Sequence, residues 1–481
     1  MTAFGLSELL LDLPVIARFN FQEIEVKALS DDSRRILADS LFFAINTSRA
    51  QGVDFVPQAL ENGAVAVIAE VSPPQNNKIP WIQVENIGLA RLKLAQKFYG
   101  NPFENIQCHG ITGTNGKTTT VFIMEQVLKH AGYKVALLST ILQRIGTQQQ
   151  ASELTTPGLL DLYAFAARAV EAGCEHLIME VSSHALDQER IAGMNFSTVL
   201  FSNLSQDHLD YHGTLEDYFA AKSKLFTDYS YNHALINIDN AWGQKLTSAI
   251  SATKLVTVGR EKGVFSPQNV EVSAQGIAMT LPQLSEKPIK SKLMGDFNAD
   301  NLLLVAAWAW VLKLPLPSVN KALQQAYVPG RMQLVYNKAS RKVFVDYAHT
   351  PDALERVLQV VAEICTGNLH LVFGCGGDRD KSKRPLMGQV AQKYSRFCWV
   401  TSDNPRTEDP QKIIDDILRG MAESKPQVVV DRRVAITQAC RALQADDCLI
   451  VAGKGHEEFQ LVGDSKLPFS DSQVIWEAFN D

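Results

Sequence analysis

One glycine-rich stretch, GITGTNGKTTT from Gly110 to Thr120, limits what this chain can fold into more than any other feature. It follows a strand-like run, IQCHGITG, and precedes KTTTVFIMEQVLKHAG, whose pattern predicts a helix that ends at Gly132. A strand, a glycine turn and a helix in this order direct backbone N–H groups and a helix N-terminus at an anion. The common phosphate-loop pattern requires glycine where this chain has Ile111. The stretch is therefore either an ordinary turn or a shortened phosphate loop, and Gly-Lys-Thr-Thr at the helix start favours the loop.

The residue types within the stretch suit a nucleoside triphosphate. Gly113 and Gly116 allow the backbone to approach the phosphates closely. Lys117 would reach the β- and γ-phosphates, and the Thr118 hydroxyl would bind Mg²⁺. The sequence therefore predicts ATP as a substrate and Mg²⁺ as a cofactor.

Strand-like runs alternate with helical stretches through most of the chain. After the loop come KVALLS, HLIMEVS, STVLFSNL and HALINI, and the last third contains KVFVDYA, LHLVFGCG, FCWVTSDN, QVVVDRR and CLIVAGKG. This alternation predicts parallel sheets, interrupted by a more irregular part at 252–294 and a long apolar helix that starts near Asn298. We predict an α/β protein of three domains. They are a small N-terminal α/β domain at 1–98, a central phosphate-loop ATPase-like parallel-sheet domain at 99–331, and a C-terminal Rossmann-like doubly wound domain at 332–481.

Composition excludes several classes of partner. A net charge of -6 over 481 residues gives no basic surface for a phosphate backbone, so we expect no nucleic acid partner. The longest apolar run, Leu302 to Leu312, is too short to span a bilayer and predicts a buried helix. The N-terminus has no basic region of the signal-peptide kind. The cysteines never occur as CxxC, which predicts free thiols and a cytoplasmic location; they are Cys108, Cys174, Cys365, Cys375, Cys398, Cys440 and Cys448.

Acidic and histidine residues follow two of the strand-like runs. Glu180 ends the run LIME, at the position of a second Mg²⁺-binding acid in phosphate-loop enzymes. Asp207, His208, Asp210 and His212 lie together in NLSQDHLDYHG, just beyond another run. This density of oxygen and nitrogen ligands predicts a metal site, although spacing alone leaves open which of them bind.

Ten motifs in order carry a resemblance to a known family. They are GTNGKTTT, EVSSHALDQER, NLSQDHLDYHG, AAKSKLF, GDFNADNLLLVAA, PGRMQ, VDYAHTPDAL, GCGGDRDKSKRPLMG, DNPRTEDP and AGKGHE. The chain resembles the Mur ligases, and among them the branch that adds meso-diaminopimelate in peptidoglycan synthesis. The resemblance covers most of the chain and is weakest before about residue 95. It implies that ATP phosphorylates a carboxylate of a nucleotide-linked peptide and that an amine then attacks the acyl phosphate. In this family GTNGKTT is the ordinary loop, so Ile111 is no defect.

The resemblance assigns the ATP and metal sites residue by residue. It implies that Lys117, Glu180, His208 and Lys222 are catalytic and that Lys222 is carbamylated by CO₂. Composition alone gives no reason to choose Lys222 over Lys224. The implied metal ligands are Thr118, Glu180, His208 and carbamylated Lys222. The implied ATP-binding residues are Gly113, Thr114, Asn115, Gly116, Lys117, Thr118, Thr119, Asn301, Arg331 and Asp346.

The nucleotide-linked peptide would lie between the first two domains. The implied contacts are Ser33, Ser48, Arg49, Ala50, Thr155, Thr156, Ser182, Gln188 and Arg190. Leu154 stands where the family pattern has a polar Asn, and NTSRAQG departs from the commoner form with Gly-His.

The third domain would choose the amino acid. Diaminopimelate is lysine with a second carboxylate at its far end, which a planar guanidinium such as that of Arg406 reads with two hydrogen bonds. A lysine substrate would leave that charge unpartnered. The implied diaminopimelate contacts are Arg379, Asp403, Asn404, Pro405, Arg406, Gly453 and Glu457. GCGGDR lacks the last glycine of a dinucleotide motif, which argues against a dinucleotide.

Three alternatives remain at this point. A sister ligase that adds another amino acid, such as L-lysine, is disfavoured by Arg406. A folylpolyglutamate synthase is disfavoured by the domain that precedes the phosphate loop. A nucleotide switch without ligase activity would not need a second doubly wound domain. We expect only small-molecule partners, and family analogy predicts a monomer.

Overall fold

The computed structural model of the chain describes residues 3–46, 50–273, 275–422 and 425–480. It contains three successive units, each built on its own main sheet. The predicted α/β class with three such units is confirmed. Among the described residues, no helix is long and apolar enough to cross a membrane.

The first unit is small and mostly parallel. Its elements are β1 (Phe4–Gly5), α1 (Leu6–Leu9), β2 (Ala17–Phe19), β3 (Glu25–Val26), β4 (Ala28–Ser30), β5 (Ser40–Phe43), α2 (Val56–Glu61), β6 (Ala64–Ala69), β7 (Trp81–Gln83) and α3 (Ile87–Tyr99). The sheet order is β2-β7-β6-β5-β4, with only β2 antiparallel to its neighbour. The apolar face of this unit joins the core of the central unit, so the two form one continuous hydrophobic cluster.

The central unit carries the glycine-rich stretch. Its elements are β8 (Gln107–Thr112), α4 (Lys117–His130), β9 (Val135–Leu138), β10 (Leu142–Ile145), β11 (Gln148–Ala151), α5 (Leu159–Glu171), β12 (His176–Glu180), α6 (Ser183–Asp187), β13 (Asn195–Phe201), α7 (Leu209–His212), α8 (Leu215–Thr227), β14 (Ser230–Asn237), α9 (Ala241–Thr247), β15 (Leu255–Val258), β16 (Asn269–Ser273), β17 (Gly276–Leu281), β18 (Ser285–Ser291), α10 (Asp296–Val311) and α11 (Leu316–Gln324).

The central sheet has eight strands in the order β11-β10-β9-β12-β8-β13-β14-β15. The six from β9 to β15 run parallel, so their carboxyl ends meet at one edge, where ligands bind in such sheets. Successive residues of β12 face opposite cores: Leu177 and Met179 pack on the α5 side, and Ile178 on the α4 side. Burial on both faces explains the unbroken apolar runs of these strands.

Two features after β15 complete this unit. The irregular part predicted at 252–294 contains β15 and a separate antiparallel sheet, β16-β17-β18. The apolar helix α10 begins at Asp296, two residues before the predicted start, and nearly all of its residues from Asn298 to Ala309 are buried. The prediction of a buried helix is therefore confirmed.

The third unit is a second doubly wound sheet. Its elements are β19 (Gln333–Lys338), β20 (Arg341–Asp346), α12 (Pro351–Ile364), β21 (Leu369–Phe373), α13 (Lys383–Tyr394), β22 (Phe397–Val400), α14 (Pro410–Leu418), β23 (Gln427–Val428), α15 (Arg432–Ala442), β24 (Cys448–Ala452), β25 (Phe459–Val462), β26 (Ser465–Pro468) and α16 (Asp471–Asn480). The sheet order is β19-β20-β24-β21-β22-β23, with β19 alone antiparallel. Helices α12 to α14 cover one face, and α15 and α16 cover the other.

One predicted strand is much shorter than its sequence suggested. The run QVVVDRR forms only the two-residue strand β23, and both residues are exposed. It lies at the edge of the sheet, where one side has no neighbouring strand. The apolar residues of this run predicted a buried strand, but a strand at the edge of a sheet is less buried than one in the middle. Short edge strands are common because they limit the pairing of one sheet with another.

Candidate active site

The glycine-rich stretch forms the turn between β8 and α4, as predicted. Gly113 has φ +146° and Gly116 has φ +88°, values that side chains rarely adopt. A Cβ atom on Gly113 would clash with Ser202 Oγ, and one on Gly116 would clash with Asn301 Oδ1. Both glycines are therefore required by the backbone conformation and by space.

The end of the neighbouring strand β13 holds the loop in place. Thr114 N donates to Asn203 O (2.9 Å), and Asn115 N donates to Asn203 Oδ1 (3.0 Å). Ser202 Oγ donates to Asn115 O at 2.7 Å. The Thr118 and Thr119 side chains are buried in the first turn of α4. The loop therefore depends on Asn203, which sequence reasoning missed even though the residue lies in NLSQDHLDYHG.

Two lysines meet at the same carbonyl group. Lys117 Nζ donates to Gly113 O (2.9 Å) and to Thr114 O (2.8 Å), and Lys222 Nζ donates to Gly113 O at 2.8 Å. Lys222 is only 1% exposed and lies over the ring of Tyr218, 4.4 Å from its centroid. Burial lowers the pKa of Lys222 well below its usual value, and the charge of Lys117 lowers it further. Burial likewise lowers the pKa of Lys117.

The two lysines of α8 differ sharply in environment. The Lys224 side chain is 39% exposed and pairs with Asp187 across 3.4 Å. Burial therefore distinguishes Lys222 from Lys224, which the residue pattern could not do.

Glu180 and His208 lie at the carboxyl edge of the central sheet. Glu180 is fully buried at the end of β12, and its carboxylate accepts hydrogen bonds from Thr140 N (2.8 Å) and Thr140 Oγ1 (3.1 Å). His208 precedes α7 with φ +54°, and burial lowers its pKa to about 4. Its ring meets that of His184 edge-on, with centroids 5.0 Å apart. Asp210 and His212 belong to α7 itself.

The side chains that could bind a metal do not form a complete metal site by themselves. In the parts of the chain that the structure describes, no group of three or more His, Cys, Asp and Glu residues is arranged to hold a metal ion. The expected ligand Thr118 instead accepts a hydrogen bond from Arg331 Nη2 at 3.3 Å. Any metal here would need further ligands from a substrate or from a modified side chain.

The third unit contacts the loop through Asp352, and Arg331 and Asn301 are fixed nearby. Asn115 Nδ2 donates to Asp352 Oδ2 (3.1 Å), and the Arg331 guanidinium lies over the ring of Tyr347, 4.6 Å from its centroid. Asn301 Nδ2 donates to Asn298 Oδ1 at 3.0 Å, so its amide is fixed beside the loop. Asp352, at the start of α12, is a second residue that sequence reasoning missed.

Asp346 organises the connection between the second and third units. Its carboxylate accepts from Met332 N (2.6 Å) and from Ala348 N (2.7 Å). Burial raises the pKa of Asp346, while Arg331 and the two N–H groups oppose this. In this structure the side chain therefore fixes the backbone on both sides of β19 and β20.

Five residues expected to contact the nucleotide-linked peptide do lie together. Thr156 Oγ1 donates to Glu180 O (2.8 Å) and accepts from Ser182 N (3.1 Å). Arg190 donates to Thr156 O through Nη1 (3.0 Å) and to Gln188 Oε1 through Nη2 (2.6 Å). Thr155 Oγ1 lies 3.1 Å from Thr140 Oγ1, next to the carboxylate of Glu180.

The first unit contributes less to this region. Ser33 is buried and donates to Gln58 Oε1 at 2.7 Å. Ser48 and Arg49 lie outside the described residues, and Ala50 is partly exposed. Leu154 is 49% exposed and lines the cavity between the second and third units.

This cavity has a volume of about 820 Å³. Thr155 and His208 line it from the central unit, while His349 and Lys383 line it from the third. Most of the expected diaminopimelate contacts line it as well: Arg379, Asp403, Asn404, Arg406, Gly453 and Glu457. Pro405 is buried and does not line it.

A left-handed backbone conformation and a hydrogen bond of the guanidinium group position Arg406 at the cavity wall. It has φ +52°, and its Nη1 donates to Gly377 O at 2.8 Å. Burial lowers the pKa of Arg406, and so does the neighbouring charge of Arg379. Two guanidinium groups side by side create a positive region that suits a carboxylate.

A buried lysine organises the opposite wall. Lys454 Nζ donates to Asn404 Oδ1 (3.0 Å) and to Glu457 Oε2 (2.6 Å), and Asn404 Nδ2 donates to Glu457 Oε2 (2.9 Å). Lys454 is 0% exposed. Sequence reasoning missed it, although a lysine directly after the apolar strand CLIVAG was a signal. A Cβ atom on Gly453 would clash with Asp403 Oδ2, which explains this glycine.

The fold and the site together define a class: a phosphate-loop α/β protein whose nucleotide edge is covered by a second doubly wound unit. Family models match most of the chain, as the Mur ligase family catalytic domain at 25–99, the Mur ligase middle domain at 111–309, and the Mur ligase glutamate ligase domain at 330–455. The chain belongs to the Mur ligase family.

Curated relatives of known name match nearly the whole chain. The UDP-N-acetylmuramoyl-L-alanyl-D-glutamate–2,6-diaminopimelate ligase of Aquifex aeolicus is 42% identical over 455 residues, which cover 94% of this chain and 93% of that one. The ligase of the same name from Gloeobacter violaceus is 40% identical over 486 residues, covering 100% and 99%.

Solved structures agree in fold. One of a ligase with that name is 30% identical, covers 100% of this chain and 99% of its own, and superposes with a TM-score of 0.68. A folylpolyglutamate synthase of Mycobacterium tuberculosis solved with ADP is 17% identical and superposes with a TM-score of 0.62, covering 76% of this chain and 92% of its own. It shares the fold alone.

Proposed function

We propose that the chain is an ATP-dependent ligase that adds meso-diaminopimelate to the D-glutamate carboxylate of UDP-N-acetylmuramoyl-L-alanyl-D-glutamate. The reaction passes through an acyl phosphate and serves peptidoglycan precursor synthesis. One observation carries the proposal: a single cavity runs from Thr155 and His208 of the central unit to Arg406 and Glu457 of the third. The names of the curated relatives support the same substrates.

The chemistry requires activation because carboxylate oxygen is a poor leaving group. Transfer of the γ-phosphoryl group to the carboxylate turns that oxygen into part of a phosphate, which leaves readily. The loop N–H groups and Lys117 stabilise the charge that builds on the phosphoryl oxygens. Lys117 donates to loop carbonyls in this structure, and we propose that ATP takes over its hydrogen bonds.

The donor set at the loop suits Mg²⁺. Thr118 offers a hydroxyl and Glu180 a carboxylate, both hard oxygen ligands of the kind that Mg²⁺ prefers. Mg²⁺ in such enzymes is held by one or two protein oxygens plus substrate phosphates, so a complete protein cage is not needed. We propose that Thr118, Glu180, His208 and carbamylated Lys222 serve the metal, which when bound neutralises phosphate charge.

Lys222 supports the carbamate proposal through its protonation state. An ammonium group cannot bind a metal cation, whereas a carbamate is an anion. Addition of CO₂ requires a neutral amine, and burial lowers the pKa of Lys222 well below its usual value. The only protein acceptor for its Nζ among the described residues is Gly113 O, so the amine is not locked in an ion pair.

Charge along the cavity orients the amino acid. Arg406 and Arg379 provide guanidinium donors for the distal carboxylate, and Asp403 and Glu457 provide anions for ammonium groups. The hydrogen bond from Lys454 Nζ fixes the position of the Glu457 carboxylate. We assign sugar–peptide binding to residues 1–98 with Thr155, Thr156, Ser182, Gln188 and Arg190, ATP binding to 99–331, and amino-acid binding to 332–481.

A substrate panel tests this proposal. The protein is incubated with ATP, Mg²⁺ and the muramoyl dipeptide nucleotide, and ADP is measured with meso-diaminopimelate, L-lysine, D-alanine or no amino acid. We expect rapid ADP formation only with meso-diaminopimelate. Equal turnover with L-lysine would indicate the sister ligase, and equal hydrolysis without any amino acid would indicate a nucleotide switch.

A further inference from the structure

Two loops of the third unit meet beside the cavity. The glycine loop, 374–382, follows β21, and the arginine loop, 401–409, follows β22. A Cβ atom on Gly377 of the first loop would lie 1.9 Å from Pro405 O of the second. Because backbone atoms cannot give way easily, glycine is required there by the approach of the arginine loop. The glycines of GCGGDR therefore make room for a neighbouring loop.

Hydrogen bonds fix Arg406 from both sides. On one side, its Nη1 donates to Gly377 O (2.8 Å), and Gly377 N donates to Asn404 O (2.9 Å). On the other side, Arg406 N donates to Leu461 O (3.1 Å), and Gly463 N donates to Arg406 O (2.8 Å). The guanidinium group is thus tied to the glycine loop and the backbone to the hairpin of β25 and β26.

Three polar residues fasten the two loops to each other. They are Asp378 of the glycine loop with Thr407 and Glu408 of the arginine loop, and together we call them the clamp. Asp378 N donates to Glu408 Oε1 at 2.6 Å. In return, Thr407 N donates to Asp378 Oδ2 (3.1 Å), and Thr407 Oγ1 donates to Asp378 Oδ1 (2.8 Å). The clamp therefore restrains the chain directly after Arg406.

A buried arginine anchors the clamp to the body of the unit. Arg384 in α13 is 0% exposed, and it donates to Glu408 through Nη2 to Oε1 (2.8 Å) and through Nη1 to Oε2 (3.1 Å). Its Nη1 also donates to Asp416 Oδ2 at 3.0 Å. Hydrogen bonding from Arg384 lowers the pKa of Glu408 to about 2, so this carboxylate is ionised at neutral pH.

This arrangement leaves one edge of the Arg406 guanidinium for a ligand. Arg406 lines the cavity, and its Nη1 is taken by the glycine loop. Its Nε and Nη2 groups make no hydrogen bond to the residues that the structure describes, and together they form the edge that binds a carboxylate with two parallel bonds. A Cβ atom on Gly376 would lie 2.9 Å from Nη1, so a side chain there would displace the group.

We propose that the clamp determines amino-acid specificity by positioning Arg406 for the distal carboxylate of the incoming amino acid. This inference rests on the proposed function. The clamp residues do not line the cavity themselves, so they act through Arg406 as positioning residues. A guanidinium that is already fixed loses less conformational entropy when it binds. An amino acid without a distal carboxylate gains nothing from this, so the clamp acts on the choice of substrate.

Thr407→Val tests the clamp, because it removes the hydroxyl group of an exposed residue and keeps the size of the side chain. Values of kcat and KM are measured for meso-diaminopimelate and L-lysine. We expect kcat/KM for meso-diaminopimelate to fall about tenfold, mainly through KM, as for the loss of one hydrogen bond to a charged group. The value for L-lysine should not change. Thr407→Ser keeps the hydroxyl and should restore selectivity.

Two further variants complete the test. The matched control is Thr437→Val on α15, whose hydroxyl donates to Arg433 O within its own helix, and it should keep full selectivity. Asp378→Asn keeps the size of a residue that has φ +52°, a conformation that asparagine tolerates. Since one amide oxygen cannot accept both hydrogen bonds from Thr407, selectivity should fall here as well.

The outcomes separate the clamp from the proposed function. An unchanged preference in both Thr407→Val and Asp378→Asn would overturn the positioning role, and so would an equal loss for both amino acids, which indicates a structural role alone. If the unaltered protein forms no ADP in response to meso-diaminopimelate, the proposed function is wrong and the role of the clamp is wrong with it. Hydrogen exchange without substrate gives a second measurement: residues 403–409 should exchange faster in both variants, and unchanged exchange would contradict the proposal.

Discussion

The Nζ atom of Lys222 donates a 2.8 Å hydrogen bond to the carbonyl oxygen of Gly113, at the start of the phosphate loop. Lys117, from the other end of the loop, donates to the same oxygen at 2.9 Å. Helix α8 is thereby tied to the loop through a side chain that is 1% exposed. Burial lowers the pKa of Lys222 well below its usual value, and the charge of Lys117 at the same carbonyl lowers it further, so both effects favour the neutral amine.

The first prediction concerns Lys222. Lys222→Ala should lower ADP formation on the order of 100-fold or more, because it removes a charge-stabilising group at the phosphates. Short carboxylic acids such as acetate should restore part of the activity by supplying the missing anion. The matched control is Lys224→Ala, which changes a partly exposed lysine of the same helix and should leave activity near normal. Full activity of Lys222→Ala without additive would show that carbamylation of Lys222 is not needed for the reaction.

Lys117 provides the second prediction. Lys117→Ala should abolish ligation, since the side chain is needed for the charge on the transferred phosphoryl group. Phosphate release with all three substrates measures this directly. Lys321→Ala, which removes an exposed charge on α11, serves as the control. Turnover by Lys117→Ala at the rate of the unaltered protein would show that the loop is not the catalytic phosphate site.

The third prediction addresses amino-acid choice. Arg406→Ala should reduce the preference for meso-diaminopimelate over L-lysine by a factor of about 10² to 10⁴, because the distal carboxylate loses its guanidinium partner. Ratios of kcat/KM for the two amino acids measure it. Arg441→Ala, on the exposed side of α15, is the control. An unchanged ratio would place the choice of amino acid elsewhere in the cavity.

Since Arg406 has φ +52°, a glycine there relieves backbone strain that alanine keeps. Arg406→Gly therefore separates loss of the guanidinium from loss of loop geometry. Both variants should lose selectivity to a similar degree.

Much of the fold followed from local patterns. The strand, turn and helix around Gly113 were predictable because each depends on residues close in sequence. The length of β23 was overestimated, because a run of apolar residues does not reveal that the strand lies at the edge of a sheet. Contacts such as Asn115 with Asn203 and with Asp352 join residues 88 and 237 positions apart, so no local signal reports them. Lys454 was missed because a buried lysine is rare and is recognised only by its partners.

The buried pair of histidines predicts how stability depends on pH. His109 Nε2 lies 3.0 Å from His176 Nδ1, and Trp308 Nε1 donates toward Thr198 Oγ1 at 3.1 Å in the same cluster. Burial lowers the pKa of His109 well below its usual value, and the charge of His176 lowers it further.

The unfolded chain therefore binds a proton at His109 below about pH 6.5, whereas the folded chain does not. Stability from this group is complete above that pH and is lost as pH falls, by about 1.4 kcal/mol per pH unit. His109→Gln should flatten the dependence of urea unfolding on pH between 6.5 and 5, and exposed His130→Gln should not. If the free energy of unfolding of His109→Gln fell with pH as steeply as that of the unaltered protein, His109 would not be the source of this pH dependence.

If phosphorylation activates the carboxylate before the amine attacks, one carboxylate oxygen must leave with the phosphate, and isotope transfer measures this. The muramoyl dipeptide nucleotide carries oxygen-18 in its D-glutamate carboxylate, and the phosphate released during ligation is analysed by mass spectrometry. We expect one oxygen-18 atom in each phosphate, because the carboxylate oxygen leaves with the phosphoryl group. Phosphate without the label, formed alongside the amide product, would contradict it.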